Sequence, residues 1–194
     1  ITRVTGLMKL LTCLFAELKD AERAAAVAKE LPSWIENLFT FALIWSVAGI
    51  IDGASRPKFD AFLRQVGQGK PPRGYETVDG QFGELQRGEL AWIKWLPDTE
   101  GVTCFEYTFL QTKHTWVLWT DTIAKEDTRI APTAEFSQII VPTLDTARYM
   151  FLLNTLLMHS KPCLFVGPTG TGKTVYVQKL LLALPAKEWA SIFI

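Results

Sequence analysis

Leu7, Leu10, Leu11, Leu14, Phe15 and Leu18 recur at the spacing of one helix face, which predicts an amphipathic helix near the start of the chain. Pro32-Ser33 breaks the pattern, and Ser33 with Glu36 has the spacing of a capping box for the helix that follows. That helix runs into LFTFALIWSVAGII, Leu38 to Ile51, fourteen residues without a charge. Crossing a bilayer takes about 20 apolar residues, and Glu36, Asn37 and Asp52 bracket the run. A helix buried on nearly all sides is therefore expected, not a membrane span. Asp52-Gly53 and Arg56-Pro57 mark a turn. Beyond it, Lys58 to Val66 reads as a third helix with Phe59, Phe62 and Leu63 inward.

The period then changes. GQGKPPRGYETVDGQFG, from Gly67 to Gly83, has the Gly, Pro and polar content of a loop or linker. Leu90 to Trp95, Thr103 to Phe109 and Thr115 to Trp119 are rich in aromatic and β-branched residues, with turn signals at Pro97-Asp98 and Thr112-Lys113. They predict a small antiparallel meander. A base-stacking platform would need interleaved basic residues, which this stretch lacks. Residues 121–135 are polar and expected to be irregular. Ile139 to Thr143 is extended, as the residue before a proline must be. A helix follows from Leu144 to His159, with Tyr149, Leu152, Leu153, Leu156 and Leu157 apolar. Cys163 to Val166 is an apolar, β-prone run, Val175 to Leu184 a further helix, and Ser191 to Ile194 the start of another strand. No internal repeat is visible.

Between that strand and helix lies Gly167-Pro168-Thr169-Gly170-Thr171-Gly172-Lys173-Thr174. It matches G-x-x-x-x-G-K-[ST], the phosphate-binding P-loop, in the strand–loop–helix setting the motif requires. The glycines let consecutive backbone N–H groups turn inward as an anion-binding nest. The helix adds its unpaired N-terminal donors and positive dipole end. Lys173 is expected against the β- and γ-phosphates of ATP or ADP, and the Thr174 hydroxyl on Mg²⁺.

Twenty residues follow Thr174, and the first residue is Ile. A P-loop sheet needs several parallel strands covered on both faces, and no acidic strand end follows the loop to hold Mg²⁺ through water. The expectation is an internal piece of a longer protein: the start of an α/β P-loop fold, without a complete catalytic site.

Twenty Lys+Arg against twenty Asp+Glu leave no electrostatic footprint for nucleic acid. A hydrophobic content of 48%, with seven Trp and twelve Phe, is ample for a packed core. Cys13, Cys104 and Cys163 are odd in number and widely spaced, so reduced, buried thiols and a cytosolic setting are expected. His114 and His159 have no partners at zinc-type spacing and are assigned to surface or packing.

Across nearly its whole length the chain resembles the dynein heavy chains, the AAA+ motors of microtubules, and more the axonemal than the cytoplasmic ones. LFTFALIWSVAGIID with SRPKFDAFLRQV looks like the helical small subdomain closing the second AAA+ module of a motor ring. WIKW, FEYTFL and TWVLWTD look like the strand-rich connection before the third module, and IIVPTLDTARYMFLLNTLL with KPCLFVGPTGTGKT like that module's opening. Two departures are Ala48-Gly49, where paired glycines are common, and Lys173-Thr174, where Lys-Ser is common. Either hydroxyl serves Mg²⁺.

The resemblance implies three parts: a small helical subdomain over 1–66, a linker and short antiparallel β region over 67–134, and a truncated AAA+ P-loop module over 135–194. It implies that Ile140, Val141, Pro142 and Thr143 wrap the adenine. It implies ATP/ADP and Mg²⁺ as cofactors and a regulatory site in a motor ATPase. It implies microtubules as partner of the full motor, with light and intermediate chains bound elsewhere. The setting would be cytoskeletal, in the axoneme of a cilium or flagellum. Two other readings of the same loop are an AAA+ ATPase unrelated to microtubules, and a structural module that holds nucleotide without turnover.

Overall fold

The computed structural model describes residues 2–16, 31–67, 96–123 and 143–192. Leu18, the linker beyond Gly67, the first predicted strand (Leu90 to Trp95), residues 124–135 and Ile139 to Pro142 lie outside them. The chain divides into two compact units, Ile1–Leu118 and Trp119–Ile194.

In the first unit, α1 (Thr2–Phe15) buries Leu10, Leu11, Cys13 and Leu14, the stripe its spacing predicts. It packs on α2 (Leu31–Leu43) and on the segment that continues α2, Ile44–Ala48. Pro32 and Ser33 fall within α2 instead of capping it. A proline is tolerated in a first turn because its missing N–H has no intrahelical partner to lose. The Ser33 hydroxyl and carbonyl oxygens instead accept from the Asn37 amide one turn on, at 3.4 and 2.9 Å.

Leu38, Phe41, Ala42 and Ile44 are buried as the uncharged run predicts, but Phe39 and Ile50 are exposed, so the run is not buried on nearly all sides. No helix among the described residues is long and apolar enough to cross a membrane. Ile44–Ala48 is wound as a π-helical turn, a local widening that spacing does not reveal. Gly49 closes it: a Cβ there would come within 2.6 Å of the Trp45 carbonyl oxygen. Of the Ala48-Gly49 pair, the position where backbone meets backbone is the one that is glycine.

Asp52 ends the turn and starts α3 (Arg56–Gly67), its carboxylate accepting from the Ser55 N–H at 3.0 Å. Hydrogen bonds from Ser55 hold that carboxyl below its ordinary range. Leu63 is buried and Phe59 half-buried, whereas Phe62, expected inward, is exposed. From α3, Asp60 receives the Cys104 N–H at 2.6 Å and the Arg64 Nε at 2.9 Å. Arg64 also donates to the Pro97 carbonyl at 2.9 Å. This polar tie fixes the start of the β region. Phe105, fully buried, meets Trp45 edge-on, packs on Phe59 and takes the Arg56 guanidinium 4.8 Å from its centroid.

Of the predicted strand from Thr103, residues Cys104–Glu106 form a short 3₁₀ turn and only Tyr107–Leu110 is strand β1. It pairs antiparallel with β2 (Thr115–Leu118), Tyr107 opposite Leu118 and Leu110 opposite Thr115. His114, in the connecting turn, has φ +48°. Trp116 is buried between Phe41 and Phe109, and its indole donates to Asn37 Oδ1 at 2.7 Å.

The second unit opens with a single turn, α4 (Trp119–Thr122), whose buried Trp119 packs on Phe151 of α5 (Leu144–Met158). Helix α6 (Lys173–Ala183) packs on α5. The predicted strand Cys163 to Val166 forms no ladder, and neither do Ser191 and Ile192; the regular elements described in this unit are all helices. A strand exists only through its neighbours' hydrogen bonds, and the described residues offer Cys163 to Val166 no edge. Leu164 and Val166 are accordingly 87% and 83% exposed. Cys163 is exposed as well, so of the three thiols only Cys13 and Cys104 are buried as expected.

Three outcomes test this packing. Asn37→Ala strands the buried Trp116 N–H and should cost about 1–3 kcal/mol in denaturant unfolding. Burial, and next the charge of Asp60, raise the Cys104 thiol far above its ordinary 9.0. Well below pH 9.0 that thiol is neutral whether the chain is folded or not. Above it only the unfolded chain ionises, so stability should fall as pH rises. Cys104 should also resist a thiol reagent that labels Cys163, as read by mass spectrometry.

Candidate nucleotide site

The site is assembled from the end of α5, the segment after it, and the start of α6. Helix α5 begins at Thr143, whose hydroxyl accepts from the Thr146 N–H at 3.2 Å while its own N–H donates to Thr146 Oγ1 at 3.1 Å. These reciprocal bonds cap the helix without a Glu or Gln at the third position. Of the four residues assigned to adenine, Thr143 alone is described; Ile140, Val141 and Pro142 lie outside the described residues. Arg148, one turn on, is 5% exposed, and its Nη1 lies 3.1 Å from Asp145 Oδ1. It pairs along its own helix.

Helix α5 ends in a Schellman motif. The Ser160 N–H donates to the Leu157 carbonyl and the Lys161 N–H to the Leu156 carbonyl, both at 2.9 Å. Ser160 therefore takes a left-handed φ of +55°, a conformation for which glycine is the usual choice. His159, the capping residue, is held by Nδ1 at 2.8 Å from the Thr155 carbonyl. This tight stop turns the chain into Lys161-Pro162 and the approach to the loop.

Gly170 and Gly172 have φ of +82° and +76°. For an L-residue such angles cost about 1–2 kcal/mol each. Gly172 also lacks room, because a Cβ would lie 3.3 Å from the Tyr176 hydroxyl oxygen. Helix α6 starts at Lys173, two residues earlier than its apolar pattern predicts. The first intrahelical bond is Tyr176 N–H to the Gly172 carbonyl, at 3.1 Å. The N–H groups of Lys173, Thr174 and Val175 thus precede it and have no helical acceptor.

Lys173 folds back over the loop, its ammonium donating to the Pro168 carbonyl and, at 2.9 Å, to Thr171 Oγ1. The Thr171 hydroxyl donates to the Pro168 carbonyl at 2.9 Å. Gly167, Pro168, Thr169, Gly170 and Thr171 are exposed, and so is Thr174 on the first helical turn. The structure thus brings Gly167 to Thr174 together as one turn ending on a helix N-terminus.

Spacing did not reveal the rings behind the loop. Tyr149 of α5 meets Phe165 edge-on at 6.3 Å and Tyr176 at 6.2 Å. In the sequence Tyr149 was one apolar position among five, and only the pairing of α5 with α6 shows its neighbours.

Two positive-φ glycines, a lysine bonded back to Pro168 and Thr171, and a hydroxyl on the first helical turn place the chain in the P-loop class. Comparison with known proteins narrows this. Residues 1–121 match the dynein heavy chain AAA lid domain, and residues 128–194 the P-loop containing dynein motor region. The chain belongs to the dynein heavy chain family. It is 34% identical over 190 residues to dynein axonemal heavy chain 3 of Homo sapiens, covering 95% of this chain and 4% of that protein. It is 31% identical over 191 residues to dynein axonemal heavy chain 2 of Mus musculus, covering 98% and 4%. It is 39% identical over 145 residues to dynein axonemal heavy chain 12 of Rattus norvegicus, covering 74% and 4%. The chain thus spans a small fraction of the length of these relatives.

Replacing Ser160 by glycine removes a strained left-handed residue from the α5 stop. Ser160→Gly should stabilise the second unit by about 0.5–1 kcal/mol in thermal or denaturant unfolding.

Proposed function

We propose that this chain supplies the phosphate-binding loop of a regulatory nucleotide site in the motor ring of an axonemal dynein. The observation that carries the reading is the loop itself: Gly170 and Gly172 at positive φ deliver the chain into α6 with Lys173 and Thr174 in its first turn. Three N–H groups without a helical acceptor, a positive dipole end and one ammonium then belong to one short turn of chain. Gly167 to Thr174 would hold the phosphates of ATP or ADP.

Among the described residues no His, Cys, Asp or Glu cluster could hold a metal ion. The exposed Thr174 hydroxyl, beside the lysine at the helix start, fits Mg²⁺ shared with the phosphates. Ile140 to Thr143 would wall the adenine, with the Thr143 cap fixing where that segment ends. In this reading 1–66 closes the second module, 67–134 connects, and 135–194 opens the third. The ring's hydrolysis would drive movement on microtubules in a cilium or flagellum, with light and intermediate chains bound elsewhere in the protein. Family membership favours this over an AAA+ ATPase unrelated to microtubules.

Lys173→Ala removes the loop's cation and should weaken Mg·ATP and Mg·ADP binding about 10- to 100-fold in a complete motor region carrying this chain. Titration calorimetry with turnover followed in the same samples checks it. Lysine-dependent binding with slow turnover supports a regulatory site, and no turnover at all a structural one. Unchanged affinity would sink the proposal.

A further inference from the structure

Gly167 to Thr171 are all exposed, and the side-chain bonds described within the loop are those of Lys173 and Thr171 to Pro168 and to each other. Such a turn has little packing of its own to set the distance between its two arms. One ring touches both arms. Tyr149 meets Phe165, two residues before Gly167, edge-to-face at 88°, and Tyr176, two residues after Thr174, at 44°. Tyr176 in turn fills the space beside Gly172, the residue whose left-handed turn aims the helix N-terminus. Deeper along the same two helices, Leu153 and Leu180 are buried, each four residues beyond its tyrosine and so on the same helix face.

From this relay, Phe165 to Tyr149 to Tyr176 to Gly172, we propose that Tyr149 is a positioning residue for the phosphate loop. It holds the entering segment and the departing helix at the separation at which the loop N–H groups and Lys173 converge. The inference rests on the reading of Gly167 to Thr174 as a phosphate site. Tyr149 is 38% exposed, so truncating it opens no large sealed cavity, and the effect expected is on loop geometry more than on folding. Aromatic ring pairs add modestly to simple burial, and two pairs, one edge-on and one tilted, set the scale below. The required feature is the ring and not the hydroxyl.

The test is nucleotide titration of a complete motor region carrying this chain, comparing Tyr149→Ala, Tyr149→Leu and Tyr149→Phe with Lys173→Ala and the unaltered protein. Only the binding lost in Lys173→Ala is counted as binding at this loop. Tyr149→Ala and Tyr149→Leu should weaken that Mg·ATP and Mg·ADP binding about tenfold, and Tyr149→Phe should restore it to within about twofold. Adenosine, which has no phosphate to misplace, should bind all three variants equally. If Tyr149→Ala fails to fold, Tyr149→Leu, which keeps an apolar body, carries the comparison. Leucine binding ATP as tyrosine does, phenylalanine failing like alanine, or adenosine affinity falling in parallel would each overturn the inference. Lysine-dependent binding that ignores Tyr149 would sink it alone. No lysine-dependent binding in the unaltered protein would sink the nucleotide reading with it.

Discussion

The hydrogen bond from the Trp116 indole to Asn37 ties the hairpin of the first unit to its helices, and the packing of that hairpin is arranged around it. Asn37 is a buried amide at the edge of a fourteen-residue uncharged run. Its cost of burial is met on both sides: its NH₂ bonds back to Ser33 and its oxygen receives the tryptophan N–H. Apolar side chains along such a run exchange places cheaply, whereas an amide must find a donor and an acceptor in fixed directions. That requirement sets the rotation of α2 and the height of the hairpin upon it. Phe41 and Phe109 then close around Trp116. The Asp60 carboxylate, shared between Arg64 and the Cys104 N–H, repeats the device where α3 meets the β region.

The second unit rests on backbone shape instead. Two left-handed turns, at Ser160 and at Gly172, do what a larger core would otherwise do. The first stops α5, and the second starts α6. Between them runs the segment whose apolar side chains face outward at Leu164 and Val166. The helices on either side meet through the rings of Tyr149 and Tyr176, near the start of each helix.

Much of this was legible in the letters. Leu10, Leu11 and Leu14 declared α1 because a helix repeats its buried face every three to four residues, and the aromatic, β-branched Thr115 to Leu118 declared β2. The loop was plain because its chemistry resides in residue identity: glycines, a lysine and a hydroxyl at fixed spacing. What escaped was set by partners distant in sequence or by small changes of winding. The π-helical turn at Ile44–Ala48 differs from an α-helix by one inserted residue and leaves the apolar pattern nearly intact. Ser33 had the letters of a cap, but its bonding partner is the Asn37 amide, and that amide is also tied to Trp116. Cys104–Glu106 was drawn out of β1 into a 3₁₀ turn where Asp60 takes the Cys104 N–H. Cys163 to Val166 has the propensity of a strand, but propensity supplies no neighbour to bond with. Thr143 and Thr146 cap a helix with two threonines where spacing rules look for an acid or amide.

The posture of Lys173 has a consequence for how such a loop waits. Its ammonium already lies within the turn, held by a neutral carbonyl and a neutral hydroxyl. A long, flexible side chain has thereby surrendered much of its rotational freedom before any anion arrives. If the loop holds phosphate as proposed, a phosphate oxygen would need only take the place of acceptors weaker than itself, since charge-assisted bonds outrank neutral ones. The gain is an exchange of partners within a formed turn, not the construction of one. On that reading the loop would act as a rehearsed grip, loosened and retaken by the same few atoms. A ligand without negative charge offers the ammonium no reason to let go.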